Sequence, residues 1–223
     1  PWNNHIIERT MRIMGGSVSA VDSAIKGSIS ANMAGGTHHA FHHYGAGYCV
    51  FNDLAVCAYV AKRDFNVQKV LIIDLDVHQG DGTASILKKD KNIFTFSMHC
   101  EKNYPLKKET SDLDIALPKG TNDSKYLEIL EKNLKELENI KSEIIFFQAG
   151  VDTLKSDNLG YLSLSHIGLK IRNEMILKFA EKRENPIVIF MGGGYSRPID
   201  DTVLAFRDLF IQCALYAQKN KVK

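Results

Sequence analysis

Four short apolar runs constrain this chain more than anything else in it: KVLIIDL at Lys69–Leu75, NIFTFSM at Asn92–Met98, EIIFFQ at Glu143–Gln148, and the segment Pro186–Met191. Each is apolar at successive positions, not alternate ones, so each needs cover on both faces. A strand of that kind belongs inside a parallel sheet sandwiched between helices. Helical patterns fall between the runs. Asn52–Arg63 with an Asn or Asp N-cap, Gly82–Lys88, the amphipathic Asp123–Leu137, Leu164–Lys182 capped by Ser163 or Ser165, and Ile199–Ala217 all read as helices. Ile6–Ile25 has helical spacing interrupted by Gly15-Gly16 and ends at Gly27, which predicts one long or broken helix. SISANM then reads as a short strand, and Leu113–Leu117 alternates like an edge strand. The fold class that follows is α/β, with a central, mainly parallel β-sheet between helix layers. Its 223 residues are expected to form one domain, spanning 1–223.

Charge and cysteine usage remove several function classes. With 28 basic against 26 acidic residues the net charge is +2, too small a field to gather a polyanion. The basic clusters Lys107-Lys108 and Lys219–Lys223 are short and carry no interleaved aromatics, so no direct nucleic-acid binding is expected. Cys49, Cys57, Cys100 and Cys213 are widely separated and form no CxxC pair, which argues against a thiolate zinc cluster and against a disulfide framework. No apolar stretch approaches the roughly 18 residues of a membrane span, and no signal-peptide pattern opens the chain, so a cytoplasmic protein is expected. Oligomeric state is not legible. The chain opens on Pro1 and reads as helix by Glu8, which predicts that a native N-terminal part is missing.

Parallel sheets place their chemistry beyond the carboxyl ends of their strands. Four polar clusters fall there: GGTHHA with His38 and His39, LIIDLDVHQGDG with Asp74, Asp76 and His78, AGVD with Asp152, and GGGY with Tyr195. Aspartate oxygens with an imidazole nitrogen suit a borderline-soft divalent ion, Zn2+ or Fe2+. Alone, the DxDxH pattern could be a helix cap with turn aspartates, and Asp152 alone could be a turn cap. Together Asp76, His78 and Asp152 supply three ligands and leave positions open for water and a substrate carbonyl. Consecutive histidines beside glycines serve no evident packing purpose at His38-His39, whereas His42-His43 are assigned no chemical role. A phosphate-binding nest competes for the GGGY glycines, but the Lys-Ser/Thr ending of a P-loop is missing. Clearance for a substrate, with Tyr195 as hydrogen-bond donor, is preferred.

Taken in order, GGTHHA, GYCVFND, DLDVHQGDG, AGVD and GGGY resemble the histone deacetylase and acetylpolyamine amidohydrolase superfamily. Gln79 and the stretch SMHCEKNYPLKKETSDLDI look most similar to its class IV and bacterial branch. The resemblance implies an arginase–deacetylase type sheet of roughly eight strands, preceded in the family by a further segment that forms an early strand and part of the active-site rim. It implies zinc ligands at Asp76, His78 and Asp152, tandem catalytic histidines at His38 and His39 oriented by Asp74 and Asp81, and a carbonyl-polarising tyrosine at Tyr195. Gly47, Tyr48, Gly193 and Gly194 would line an acyl tunnel. A structural K+ would sit among Asp74, Asp76, His78, Ser97 and Met98. The implied reaction is zinc-dependent hydrolysis of acyl-lysine in a protein or peptide, or of a small N-acyl amine. The competing readings are a binuclear ureohydrolase and a catalytically weak acyl-lysine-binding module.

Overall fold

The computed structural model describes residues 3–220, so the expectations attached to Pro1 and to the end of the basic tail lie outside the described residues. The apolar runs become β2 (Val70–Asp74), β3 (Ile93–Cys100), β5 (Ile144–Gln148) and β6 (Ile187–Phe190), joined by β1 (Ile29–Asn32) and β4 (Leu113–Leu117). Their order is β1-β6-β5-β2-β3-β4, and every pairing is parallel. Among the described residues the sheet therefore has six strands, against the roughly eight implied by the resemblance.

The successive apolar positions divide between two cores. Leu71 and Ile73 of β2, Ile145 and Phe147 of β5, and Ile187 and Ile189 of β6 pack into one cluster, together with α4 (Asp123–Leu137), α5 (His166–Lys182) and α6 (Asp200–Asn220). Val70, Ile72, Ile144, Phe146, Val188 and Phe190 face the other way, against α1 (Asn4–Gly27), α2 (Asp53–Asp64) and Leu87 of α3 (Asp81–Leu87). Each strand residue thus removes its side chain from water on one face or the other, at ~1.5–3 kcal/mol for each large aliphatic or aromatic group. This is the physical reason the runs do not alternate.

Helix ends follow the capping chemistry. Asn3, Asn52, Asn122 and Ser165 accept from backbone N–H groups of the first turn, at Ile6, Ala55, Lys125 and Gly168 respectively. Ser165, not Ser163, is the α5 cap, and the helix begins two residues later than the periodicity alone suggests. Helix α1 runs unbroken through Gly15-Gly16. A glycine costs a helix only ~1 kcal/mol, and Gly16 makes room for the Asn32 amide, which would stand 3.1 Å from an added Cβ.

The topology locates the crevice. From β2 the chain moves outward to β3 and β4, then returns to lay β5 on the opposite side of β2. The carboxyl ends of β2 and β5 are therefore neighbours at a switch point, the place where open α/β sheets bind ligands. The DLDVH and AGVD segments leave the sheet side by side, with the GGGY turn beyond the adjacent β6.

Candidate active site

A cleft of about 480 Å³ opens at this switch point, with His38, His39, Asp76, His78, Asp152 and Tyr195 among its walls. Its floor is built from carboxylates that the backbone immobilises. Asp74 ends β2, and its Oδ1 accepts from the Asp76 N–H at 3.1 Å while its Oδ2 meets His38 Nδ1 at 2.7 Å. Asp76 accepts the His78 N–H on Oδ1 and the Gly193 N–H on Oδ2, each at 3.0 Å. Asp152 Oδ1 takes the Val77 N–H at 2.9 Å. The extended geometry of DxDxH thus folds back on itself in a loop, each aspartate holding the residue two positions on.

Asp76, His78 and Asp152 come together with one potential ligand atom each within 4.8 Å of the others. His78 Nδ1 lies 3.0 Å from Asp76 Oδ1 and 3.2 Å from Asp152 Oδ2. Asp152 Oδ2 is nevertheless left without a hydrogen bond in a fully buried position. A buried anionic oxygen in that condition is costly unless a cation meets it. Burial, reinforced by the charge of Asp76, raises the Asp152 carboxyl to about 7. Burial would raise Asp76 too, but the His38 and His78 charges outweigh it and hold that carboxyl well below its usual range. Donor chemistry, spacing and an orphaned oxygen all fit a divalent ion. The glycines around it are clearance: a Cβ at Gly193 would stand 2.3 Å from Asp152 Oδ2, and one at Gly150 would stand 2.2 Å from Asp76 Oδ2.

The tandem histidines are held differently. His39 Nδ1 meets Asp81 Oδ1 at 2.7 Å, so both imidazoles have their Nδ1 edge engaged. The rings are 4.1 Å apart between centroids. The pair cannot carry two protons comfortably at that distance. Burial opposes protonation of His38, but Asp74 and Asp76 overcome it and lift its pKa to about 9. Burial and the neighbouring His38 charge push His39 down to about 4, despite Asp81. At neutral pH the charges favour a protonated His38 beside a neutral His39, which is a proton acceptor ready beside the floor.

Tyr195 is about one-third exposed on the wall, its N–H held by Asp157 Oδ2 at 2.6 Å, and burial with the nearby Asp76 and Asp152 charges raises its phenol pKa and keeps it a donor. Tyr48 faces it with ring centroids 6.4 Å apart. Gly47 adopts a left-handed φ of 50° and lies so close to His39 that a Cβ would come within 2.3 Å of the ring. Gly193 lines the cleft, whereas Gly194 packs toward Val151, Thr202 and Phe206. Ser97 lies opposite Asp74 in the β2–β3 register, whereas the side chain of Met98 packs into the hydrophobic core. His42 and His43 are exposed and contact each other.

Sequence reading missed several supports. Asp53 receives the Gly36 and Thr37 N–H groups at 2.8 Å each and so shapes the loop before His38. Asp157 organises Tyr195, Leu159 and Gly160. Tyr104 sets its ring edge-on to His39 at 4.9 Å. The Gln79 amide exchanges two hydrogen bonds with the Glu109 backbone, tying the cleft's floor to the loop that carries Tyr104. Asx-type capping is visible in ND at Asn52-Asp53, but nothing local reveals which distant N–H groups Asp53 serves.

Comparison with known proteins shows the family of the chain. The histone deacetylase domain model covers residues 1–205, and the chain belongs to that family. A protein of Picosynechococcus sp. (strain ATCC 27264 / PCC 7002 / PR-6), without an assigned function, is 43% identical over 204 residues, which are 91% of this chain and 68% of the relative. Histone deacetylase 2 of Arabidopsis thaliana is 31% identical over 82% of this chain and 49% of its own length. The acetoin utilization protein AcuC of Staphylococcus aureus is 28% identical over 86% and 53%. The chain spans about half the length of these last two relatives. The crystal structure of the HDA15 HD domain superposes with a TM-score of 0.77 at 21% identity, covering 90% of this chain and 61% of that one, which establishes the arginase–deacetylase type of fold. No helix among the described residues is long and apolar enough to cross a membrane.

Proposed function

We propose that this chain is a metal-dependent deacylase that hydrolyses acyl-lysine or a related N-acyl amine to a carboxylate and a free amine. The observation that carries the reading is the unsatisfied Asp152 oxygen, buried against Asp76 and His78 and flanked by two His–Asp pairs. Asp76, His78 and Asp152 would hold Zn2+, or Fe2+, which supplies Lewis-acid activation of water and of the amide carbonyl. His39, neutral and oriented through Nδ1 by Asp81, accepts the proton of the attacking water on its free ring nitrogen. The same nitrogen then returns the proton to the departing amine, so the residue ends as it began. His38, held through Nδ1 by Asp74, keeps its Nε2 3.8 Å from Asp76 Oδ1, beside the reacting centre. Tyr195 donates a hydrogen bond from its hydroxyl to the oxygen that becomes anionic in the tetrahedral transition state. A K+ bound near Asp74 and Ser97 would stiffen the strand ends beneath.

The cleft's aromatic wall, with Tyr48, Tyr104 and Tyr161, suits an extended acyl-amine. Acyl-lysine proteins or peptides and small N-acyl amines are the substrate classes proposed, with residues 1–223 belonging to a single deacetylase-like catalytic domain in the cytoplasm. The test is product release from matched acetyl-, octanoyl- and myristoyl-lysine peptides after chelation and again after Zn2+ or Fe2+ is restored. Release that appears only with metal is the expected result, and its ranking gives acyl preference. Release from no peptide and no acetylated polyamine, with metal bound, sinks the reading.

A further inference from the structure

Arg172 is the largest side chain fully buried among the described residues, and none of the chemistry above uses it. It reaches from α5 to the underside of the sheet's switch point. Its Nη1 donates to the Gly150 carbonyl at 2.7 Å and to the Leu75 carbonyl at 3.2 Å, and its Nη2 donates to the Ala149 carbonyl at 3.3 Å. Asn173 Oδ1 fixes the fork by accepting from Nε and Nη2 at 3.1 and 2.8 Å. The guanidinium lies over the Phe147 ring, 5.6 Å from its centroid.

The bonded carbonyls have particular neighbours. Leu75 immediately precedes Asp76, and Gly150 stands two residues before Asp152. The β2–β5 register ends at Asp74 opposite Gln148, and one further bond, Leu75 N–H to the Gln148 carbonyl at 3.1 Å, closes the ladder. Beyond it no further backbone–backbone bond joins the two segments among the described residues, and they meet directly again only near the site, where the Val77 N–H donates to Asp152 Oδ1. Arg172 bridges them in between, with charge-assisted bonds that are stronger than a neutral ladder rung. As a device for stability alone a buried guanidinium is a poor choice, since apolar groups of similar volume are often neutral or better.

We propose that Arg172 is a positioning residue that clamps the ends of β2 and β5, so that Asp76 and Asp152 face one another at the separation a metal ion requires. The inference rests on the metal-site reading above. Lysine keeps the charge but lacks the planar fork, so it cannot bridge two strands in the same way.

Arg172→Lys and Asn173→Ala are to be compared with the wild-type chain by titration with Co2+, following its visible absorption spectrum, and with Zn2+ against a chromophoric chelator. Far-UV circular dichroism of the metal-free proteins monitors folding. Arg172→Lys is expected to weaken Zn2+ and Co2+ binding ~10- to 100-fold, the range for partners that orient metal ligands, and to alter the Co2+ spectrum. Asn173→Ala, which leaves the cation but frees its fork, should shift both readouts the same way by less. Should Arg172→Lys not fold, Asn173→Ala decides alone. A folded variant with wild-type affinity and spectrum overturns the clamp while leaving the metal site standing. A wild-type chain that binds neither ion overturns the metal site and the clamp together.

Discussion

The floor and the mouth of the cleft are built on opposite plans. On the floor Asp76 and Asp152 are essentially inaccessible and each is held by a main-chain N–H, whereas at the mouth Tyr48 and Leu106, which also line the cleft, are 88% and 96% exposed. Floor geometry is thus a property of the fold: each carboxylate is aimed by backbone that the sheet has already fixed. The mouth acquires its arrangement from solvent and from whatever occupies it. Changes on the floor should therefore alter whether the reaction happens, and changes at the mouth should alter what is chosen.

Four substitutions test that division, in falling order of effect. Asp152→Asn should bring peptide deacylation to background and abolish stoichiometric Zn2+ binding. Its carboxyl is raised on folding to about 7, so between its unfolded value and that pH the native state binds the extra proton and stability falls as pH rises. The metal-free variant should therefore be no less heat-stable than wild type at pH 8. A drop in its Tm would show that Asp152 is structural instead. Tyr195→Phe should lower kcat by ~10²–10³, the usual cost of one lost oxyanion donor, with metal affinity unchanged. Unaltered single-turnover rates would remove that role from the phenol. Gly193→Ala inserts a Cβ 2.3 Å from Asp152 Oδ2, and a ~10- to 100-fold weaker Zn2+ affinity is expected by analogy with other ligand-orienting contacts. Wild-type affinity would mean that the floor yields more than its packing implies. Leu106→Ala should leave kcat and Tm alone and shift KM less than ~10-fold, more for myristoyl- than for acetyl-lysine. An equal effect on both substrates would dissolve the distinction between mouth and floor.

Much of this was legible in the chain itself, because the features concerned are local. An apolar run bounded by turn residues announces a buried strand. The motifs at four strand ends announced a site, and helix caps such as Asn52 and Ser165 announced themselves by type. The strand order is not local. Nothing in KVLIIDL or EIIFFQ says that they pair, and the six-stranded count departs from the number implied by resemblance. The supporting shell was illegible for the same reason. Asp53 and Arg172 act on backbone groups 16 to 97 residues away, and Asp157 reaches the Tyr195 N–H 38 residues on, so these partners exist only in the folded molecule. The unlike protonation of His38 and His39 was also beyond reading, since it depends on which carboxylates surround each ring.

The switch point also has a meaning in time. Asp76 and His78 follow β2, but Asp152 follows β5, and two helices, α3 and α4, with two further strands lie between β2 and β5. Closing that interval costs chain entropy before any contact rewards it. A refolding molecule can shape the first part of the site while β2 and β3 associate, but the third ligand arrives only when β5 slots in beside β2. Ion capture would then act as a clock for one long-range event, striking when the middle of the sheet is complete and not before.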